Sequence, residues 1–205
     1  MMINDNKDRY HSDPDNELMR RVGSGDKTAF KELVQRNQRI VTGIIYRYTG
    51  NHHEVEDLAQ DIFLKVYKAA PRYVPRAQFK TWLYKVVAHH CFNYFRSQKR
   101  RSFITSYNQS FPEEDNPPLH HAEAQKEQPE NVMQQQELRT ALTAALSELP
   151  DRQRMALILH RFEDLSYKEI ANVLGCSLSA VESLLFRAMD NLKKKLHSDQ
   201  PPLED

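Results

Sequence analysis

Residues 165–196 read LSYKEIANVLGCSLSAVESLLFRAMDNLKKKL, a pattern of two helices joined by a tight turn. Ala171 is small enough for two helices to cross closely, and Gly175, four residues later, suits a left-handed turn. The apolar side chains that would seal the corner between the helices are Ile170, Leu174, Cys176, Val181 and Leu184. The stretch therefore predicts a helix-turn-helix, and the alternative is an ordinary corner of two helices that contacts no DNA.

The second helix of this motif has an apolar face and an outward face. The outward face carries Ser179, Glu182, Ser183, Phe186 and Arg187. In a helix-turn-helix this face enters the major groove of DNA. Arg187 is suited to phosphates or bases, whereas Glu182 is either an acceptor for a cytosine amino group or a solvated surface acid.

Helical spacing of apolar residues extends through both halves of the chain. In the first half, the pattern predicts a short helix at 15–22 and longer helices that end at Gly50, at Pro71 and towards Arg101. In the second half, an apolar stripe at 138–149 ends at Pro150, after which Asp151 is expected to cap the next helix. Ser166-x-x-Glu169 is the pattern of a capping box that opens a further helix.

Residues 102–131 separate these halves. They contain four prolines, many polar residues and few large apolar ones, so they cannot bury enough surface to offset chain entropy. We therefore predict an all-α fold of two small helical domains joined by a flexible linker. The predicted division is a poorly ordered N-terminus at 1–15, a helical domain at 16–101, the acidic linker at 102–131, a helix-turn-helix domain at 132–197 and a tail at 198–205.

The formal net charge of +1 hides an asymmetry along the chain. Lys and Arg outnumber Asp and Glu by 19 to 11 in residues 1–101, whereas the acids prevail by 6 to 1 in residues 102–131. Between Asp61 and Glu113 no acidic residue occurs, although basic residues continue to Arg101. A stretch that carries only positive charges favours an anionic partner, and nucleic acid is the commonest such partner. The alternative interpretation is a basic helix face that is simply solvated.

The composition excludes several classes of protein. The chain has 205 residues, of which 40% are hydrophobic and 28% charged, with a mean hydropathy of −0.74. No apolar run approaches the roughly 18–20 residues that span a bilayer, and no apolar leader opens the sequence, so membrane insertion and secretion are not expected. The motifs of P-loop, dinucleotide-binding, zinc-protease and serine-hydrolase sites do not occur, and we predict no catalytic residue and no cofactor.

The cysteines and histidines predict no metal site. Cys91 and Cys176 lie far apart, without the close spacing of zinc ligands. His89, His90 and Cys91 are adjacent, but consecutive residues of a helix point about 100° apart and cannot all ligate one ion.

Three segments together carry a resemblance to a known family. These are EVEDLAQDIFLKVYKAAPRY at 54–73, FKTWLYKVVAHHCFNYFRSQKRR at 79–101, and the segment at 146–196 that contains the helix-turn-helix. They resemble regions 2.2, 2.3–2.4 and 4 of bacterial RNA polymerase sigma factors of the extracytoplasmic-function (ECF) group, in matching order and spacing. The resemblance implies an alternative sigma factor, not an enzyme, that binds core polymerase and directs transcription initiation at promoters with particular −10 and −35 elements.

The resemblance also assigns site residues. Region 2.2 of the family binds the clamp helices of the polymerase β′ subunit, and its matching positions are Asp57, Gln60, Asp61, Leu64 and Lys65.

Regions 2.3 and 2.4 bind and open the −10 element, for which the matching residues are Arg76, Lys80, Lys85, His89, Asn93 and Arg96, with the loop at 72–78 taking a flipped base. Trp82 lies on the apolar stripe, so core packing is expected for it in preference to base stacking. Region 4 binds the −35 element through the outward face described above, and it also packs on the polymerase β flap.

Further partners follow from the resemblance alone. It implies an anti-sigma factor that covers the polymerase-binding faces, a stress response, a location in the bacterial cytoplasm, and a monomer that is free or in a 1:1 complex with the anti-sigma factor.

Three rival functions are a stand-alone helix-turn-helix regulator, an enzyme acting on nucleic acid, and a protein-interaction adaptor. The sequence pI of about 7.8 disfavours the first, the absence of acids from the basic stretch disfavours the second, and the third leaves the helix-turn-helix unexplained.

Overall fold

The computed structural model describes residues 12–108 and 141–198, and the regular elements in these ranges are all helical. The first half contains α1 (Pro14–Gly23), α2 (Lys27–Thr49), α3 (His52–Ala69), a 3-10 turn (Ala70–Arg72) and α4 (Phe79–Asn108). The second half contains α5 (the described residues 141–147), α6 (Asp151–Phe162), α7 (Tyr167–Leu174) and α8 (Leu178–Ser198). The predicted all-α class is confirmed.

Most helices begin and end at the capping and turn residues that the sequence predicts. Gly50 adopts a left-handed conformation with φ 73° and ends α2, while Asn51 caps α3 by accepting a hydrogen bond from the His53 N–H. Ser166 and Glu169 form the reciprocal capping box at the start of α7. The predicted cap of α6 is wrong by one residue. Pro150 occupies the N-cap position and Asp151 is the first helical residue, where its carboxylate lies near the positive end of the helix dipole.

The folded ranges extend beyond two predicted boundaries. Asp13 caps α1, so the ordered first half begins before residue 16. Helix α4 continues past residue 101 to Asn108, into the segment predicted as linker. The remainder of that linker at 109–131, residues 1–11 and the tail at 199–205 lie outside the described residues.

Each half has an apolar interior supplied by the predicted stripes. In the first half, fully buried side chains include Leu33, Ile44, Ile62 and Leu83. In the second half they include Met155, Ile158 and Leu159, which lie on α6. Within residues 12–108 and 141–198, no single helix is long and apolar enough to cross a membrane, and only the bent pair α7 and α8, taken together, meets that test by length and composition.

The two halves pack against each other, with α2 against α6 and α4 against α7. The Tyr84 hydroxyl on α4 donates to Glu163 Oε2 at 3.1 Å. Arg154 on α6 is only 4% exposed and donates to the carbonyl oxygen of Tyr48 on α2 at 2.6 Å. Arg47 lies over the Phe162 ring, with its guanidinium carbon 4.4 Å from the ring centroid. A shared interface of this kind was not predicted from the sequence.

Candidate functional site

Helices α7 and α8 form the corner that the sequence predicts. They meet at an angle of 100° across a turn at Gly175, which is left-handed with φ 61° and donates its N–H to the Ala171 carbonyl. The Cys176 N–H donates to the same carbonyl at 3.0 Å. Ile170 and Leu174 are buried beneath the turn. The geometry is that of a helix-turn-helix.

The outward face of α8 is open to solvent. All five residues predicted to bind the −35 element are exposed: Ser179, Glu182, Ser183, Phe186 and Arg187. Phe186 is 76% exposed, the highest value among the exposed large apolar side chains of the described residues. On the opposite side of the helix, Val181 and Ala188 are fully buried and fix the rotation of α8. The structure thus brings the five residues together on one accessible surface.

The residues predicted to bind the −10 element lie along α4 and its preceding loop. Lys85, His89, Asn93 and Arg96 recur every three or four residues and form one stripe of the helix. Lys80 is exposed in the first turn of α4 and Arg76 in the loop. Asn93 Nδ2 donates to His89 Nδ1 at 3.1 Å, which holds the His89 ring against its own helix.

Lys85 differs from the other residues of this stripe. It is half-buried, and its Nζ donates to Asn172 Oδ1 on α7 at 2.8 Å. In this structure a residue predicted to contact the −10 element is therefore engaged by the helix-turn-helix. This contact joins sequence positions 87 apart, and no local pattern marks it.

A cleft lies beside the loop at 72–78. Its volume is about 630 Å³, and its lining includes the basic residues Lys68, Arg72, Arg76 and Lys85. One wall is aromatic, because the Tyr73 ring packs edge-on against Trp82 with ring centroids 5.1 Å apart. The Trp82 ring also packs on the buried Phe79 ring, with ring centroids 5.7 Å apart. Trp82 therefore packs on the core as expected, while one side of it still lines the cleft. Positive charge and an aromatic wall are the features that bind an unpaired nucleotide.

The exposed face of α3 carries the residues predicted to bind polymerase. Asp57, Gln60, Asp61, Leu64 and Lys65 all face solvent. Leu64 is 48% exposed, whereas Ile62 and Val66 on the other side of the helix are fully buried. The face mixes acidic, amide, apolar and basic groups, as expected for a protein-binding surface with an apolar centre and a polar rim.

Sequence reasoning missed a groove that continues this face towards α2. Phe30 and Val34 of α2, together with Phe63 and Tyr67 of α3, line a groove of about 910 Å³ that also includes Leu64. The rings of Phe30 and Tyr67 pack edge-on at 5.0 Å. The apolar spacing of α2 did mark Phe30 and Val34, but periodicity does not distinguish core residues from those at the edge of a groove.

His90 supports the α3 face from below, a role that the sequence did not indicate. It is 8% exposed, its Nδ1 contacts Lys65 Nζ, and its Nε2 lies 3.8 Å from Asp61 Oδ2. Burial, followed by the nearby Lys65 charge, lowers the pKa of His90 below its ordinary value. The two residues beside His90 differ in burial, since His89 is exposed and Cys91 is fully buried. Desolvation at this buried position raises the pKa of the Cys91 thiol to about 12. Among the described residues no three His, Cys, Asp or Glu side chains are grouped as a metal site.

Comparison with known proteins identifies the same segments. The family described as Sigma-70 region 2 matches residues 33–101, and Sigma-70, region 4 matches residues 139–192. The chain is 35% identical over 194 residues to the RNA polymerase sigma-H factor of Pseudomonas aeruginosa, covering 93% of this chain and 96% of that protein. It is 34% identical over 182 residues to the ECF RNA polymerase sigma-E factor of Escherichia coli K12, covering 89% and 94% respectively.

Two solved structures share the fold. CnrH in complex with the cytosolic domain of CnrY aligns with a TM-score of 0.64 and 22% identity, covering 91% of this chain and 99% of that chain. The sigma factor RpoE in complex with the anti-sigma factor NepR from Bartonella quintana aligns with a TM-score of 0.60 and 22% identity, covering 83% and 98%. With a helix-turn-helix, matches to both sigma-70 regions, and similarity over about nine tenths of the chain to curated sigma factors, this chain belongs to the sigma-70 family and is an alternative sigma factor of the ECF group.

Proposed function

We propose that this protein recruits core RNA polymerase through α3 and directs it to promoters through two separate DNA-binding surfaces. The exposed face of α8 is the observation that carries the proposal, because Phe186, which is 76% exposed, and Arg187 project from the second helix of the helix-turn-helix, the helix that enters the major groove in this motif. In this assignment the α8 face binds the −35 element. The α4 stripe and the cleft beside it bind the −10 element and hold one of its unpaired bases.

The polymerase contact is assigned to Asp57, Gln60, Asp61, Leu64 and Lys65. Leu64 supplies an apolar centre, and the charges around it set the register of the partner. The second half is proposed to contact the β flap. The protein itself performs no chemistry in this scheme, since the polymerase supplies the catalytic site.

Binding to both promoter elements requires the halves to separate. The two elements lie about 25 base pairs apart, which is about 85 Å along DNA at 3.4 Å per base pair. In the closed arrangement Lys85 Nζ is only 2.8 Å from Asn172 of the helix-turn-helix. Both surfaces therefore cannot reach their elements at once until this interface opens. We accordingly expect the free protein to bind promoter DNA weakly.

The predicted domain division gives the linker a role in this opening. The acidic, Pro-rich part of the predicted linker that follows α4, at 109–131, tethers the halves, and after one half binds, the tether raises the effective concentration of the other. Its negative charge suits the positively charged RNA exit path of the polymerase. An anti-sigma factor would hold the protein inactive in the cytoplasm, as a monomer or a 1:1 complex. The solved complexes of CnrH with CnrY and of RpoE with NepR support this part of the proposal.

Transcription in vitro tests the proposal. The purified protein is mixed with sigma-free bacterial core polymerase and a library of genomic promoters, and the transcripts are sequenced. We expect new start sites that share two upstream elements. If no new polymerase-dependent start sites are found and the protein alone binds DNA tightly, the result would instead indicate a stand-alone regulator.

A charge reversal isolates the polymerase contact. Asp61→Lys places a cation on the exposed face of α3, and we expect it to abolish capture of core polymerase in a pull-down. Glu32→Lys makes the same charge change on the exposed surface of α2 and serves as the matched control. Full capture by Asp61→Lys would contradict the assignment of this face.

A further inference from the structure

Helix α1 holds the loop at 72–78, although α1 lies outside the segment 33–101 that matches the family. The Asn16 side chain bridges two points of the loop. Its Oδ1 accepts a hydrogen bond from the Tyr73 hydroxyl at 2.6 Å, and its Nδ2 donates to the Ala77 carbonyl at 3.1 Å. Asn16 is only 4% exposed, so water does not compete freely for these bonds.

Asp13 fixes the end of the same loop. Its Oδ1 accepts from the Asp15 N–H at 3.0 Å and begins α1, while its Oδ2 accepts from the Phe79 N–H at 2.8 Å and begins α4. One carboxylate therefore joins the first turns of two helices, each of which has N–H groups without helical acceptors. The start of α4, and with it the end of the loop, is set relative to α1.

Helix α1 is itself firmly anchored. Asp15 is 5% exposed, accepts from Asn37 Nδ2 at 3.1 Å and pairs with Arg36 Nε at 2.8 Å, so α1 is tied to α2. At the other end of α1, a Cβ on Gly23 would lie 2.6 Å from the carbonyl oxygen of Ala70. This close approach sets α1 directly against the 3-10 turn that precedes the loop.

The loop atoms held by Asn16 belong to the cleft. Tyr73, Val74, Arg76 and Ala77 all line it. Tyr73 also packs against Trp82 in the same aromatic wall, with ring centroids 5.1 Å apart. Displacing Tyr73 or Ala77 would change both the width of the cleft and its aromatic wall.

We infer that Asn16 is a positioning residue for base capture: it holds the loop at 72–78 in the shape that accepts an unpaired base of the −10 element. The inference rests on the proposed role of the cleft. Asparagine suits the position because the amide offers a donor and an acceptor at once, whereas an ionised aspartate would face the Ala77 carbonyl with a second acceptor. Asn16 does not touch the DNA in this arrangement and acts through Tyr73 and Ala77.

The test uses the holoenzyme, formed from core polymerase and the full chain, with a fork-junction DNA whose −10 strand is unpaired. Each −10 base in turn is replaced by an abasic site, and the Kd of every DNA is measured. For the wild-type protein, loss of one stacked base is expected to weaken binding about tenfold at one position. For Asn16→Ala, we expect intact DNA to bind about tenfold more weakly and the penalty at that position to fall below about twofold.

Two further variants make the result specific. Arg20→Ala is the matched control on α1, because Arg20 is exposed and pairs only with the exposed Glu17 in the contacts described for it, and it is expected to keep the full abasic penalty. Tyr73→Phe removes one hydroxyl and retains the ring, so it serves if Asn16→Ala is too unstable, and it is expected to reduce the penalty in the same direction. Core polymerase capture by each variant is expected to match that of the wild type.

The outcomes separate this inference from the proposed function. If the wild-type holoenzyme shows no abasic penalty at any −10 position, base capture by the cleft is wrong and the role of Asn16 fails with it. If the wild type shows the penalty and both Asn16→Ala and Tyr73→Phe retain it in full, the cleft captures a base but Asn16 does not position it. Uniformly weaker binding with an unchanged penalty would likewise overturn the inference, because it is what a merely structural role produces.

Discussion

Replacing Arg154 by Met removes a buried cation that joins the two halves of the molecule. The guanidinium donates to the Tyr48 carbonyl at 2.6 Å and to the Leu149 carbonyl at 3.0 Å, and it also contacts the Ser147 carbonyl. Its central carbon lies 5.0 Å from the Tyr48 ring centroid. Burial lowers the pKa of Arg154 from its ordinary value, but arginine still remains charged at neutral pH.

The magnitude follows from what the substitution leaves behind. Hydrogen bonds to a charged group contribute about 1.5–3 kcal/mol each, and the variant loses three of them. Part of this loss is offset because the cation no longer has to be desolvated, an effect of several kcal/mol. We expect a net loss of about 3–5 kcal/mol in the free energy of unfolding, because three carbonyl oxygens lose their donor at a cost of about 1–3 kcal/mol each. Met has a similar volume, so the cavity contribution is small.

Urea unfolding followed by two signals measures this loss. Far-UV circular dichroism reports on helices of both halves, whereas the single tryptophan, Trp82 on α4, reports on the first half. With a slope of about 2 kcal/mol per molar urea, the circular dichroism midpoint should fall by about 2 M. The Trp82 midpoint should fall less, because only one of the three hydrogen bonds, that to Tyr48, reaches the first half, where the guanidinium also lies near the rings of Tyr48 and Phe95.

Arg161→Met is the matched control, since Arg161 lies on the same helix and is exposed. Its free energy of unfolding should stay within about 0.5 kcal/mol of the wild-type value. A loss below about 1 kcal/mol for Arg154→Met would refute the reasoning, because the orphaned carbonyls would then have found other partners.

Two more predictions concern the surfaces of α8 and α3. Phe186→Ala should leave polymerase capture intact but reduce transcription from −35-dependent promoters about tenfold. Lys194→Ala, a change at an exposed residue farther along α8, serves as the control. Equal transcription by the wild type and both variants would contradict the −35 assignment. Because the folded-state pKa of His90 is lowered, its contribution to stability is present above the unfolded value of 6.5 and is lost as pH falls below it. His90→Gln should remove this pH-dependent component, and urea midpoints that change equally with pH in both proteins would show that His90 does not titrate as described.

The helices and their exposed faces were predictable because they depend on neighbours in the chain. Gly50 and the Ser166–Glu169 box mark helix ends through backbone conformation and local hydrogen bonds, and both were confirmed. Helical periodicity placed Phe186 on an open face, and the family resemblance assigned Leu64 to a binding face; the structure shows both side chains exposed. The Asp151 cap was wrong because a capping residue and the first residue of a helix prefer the same acidic side chains.

The amino-acid sequence alone therefore determined the all-α class, the helix-turn-helix and the side chains that each surface displays, since these follow from interactions within a few residues. Only the tertiary structure decided how the surfaces are held. Asn16 meets Tyr73 across 57 residues, Lys65 meets His90 across 25, and Arg154 meets Tyr48 across 106. A polar residue at a helical position has the same local pattern whether it faces water or a distant carbonyl, so only the packing of the helices selects its partner.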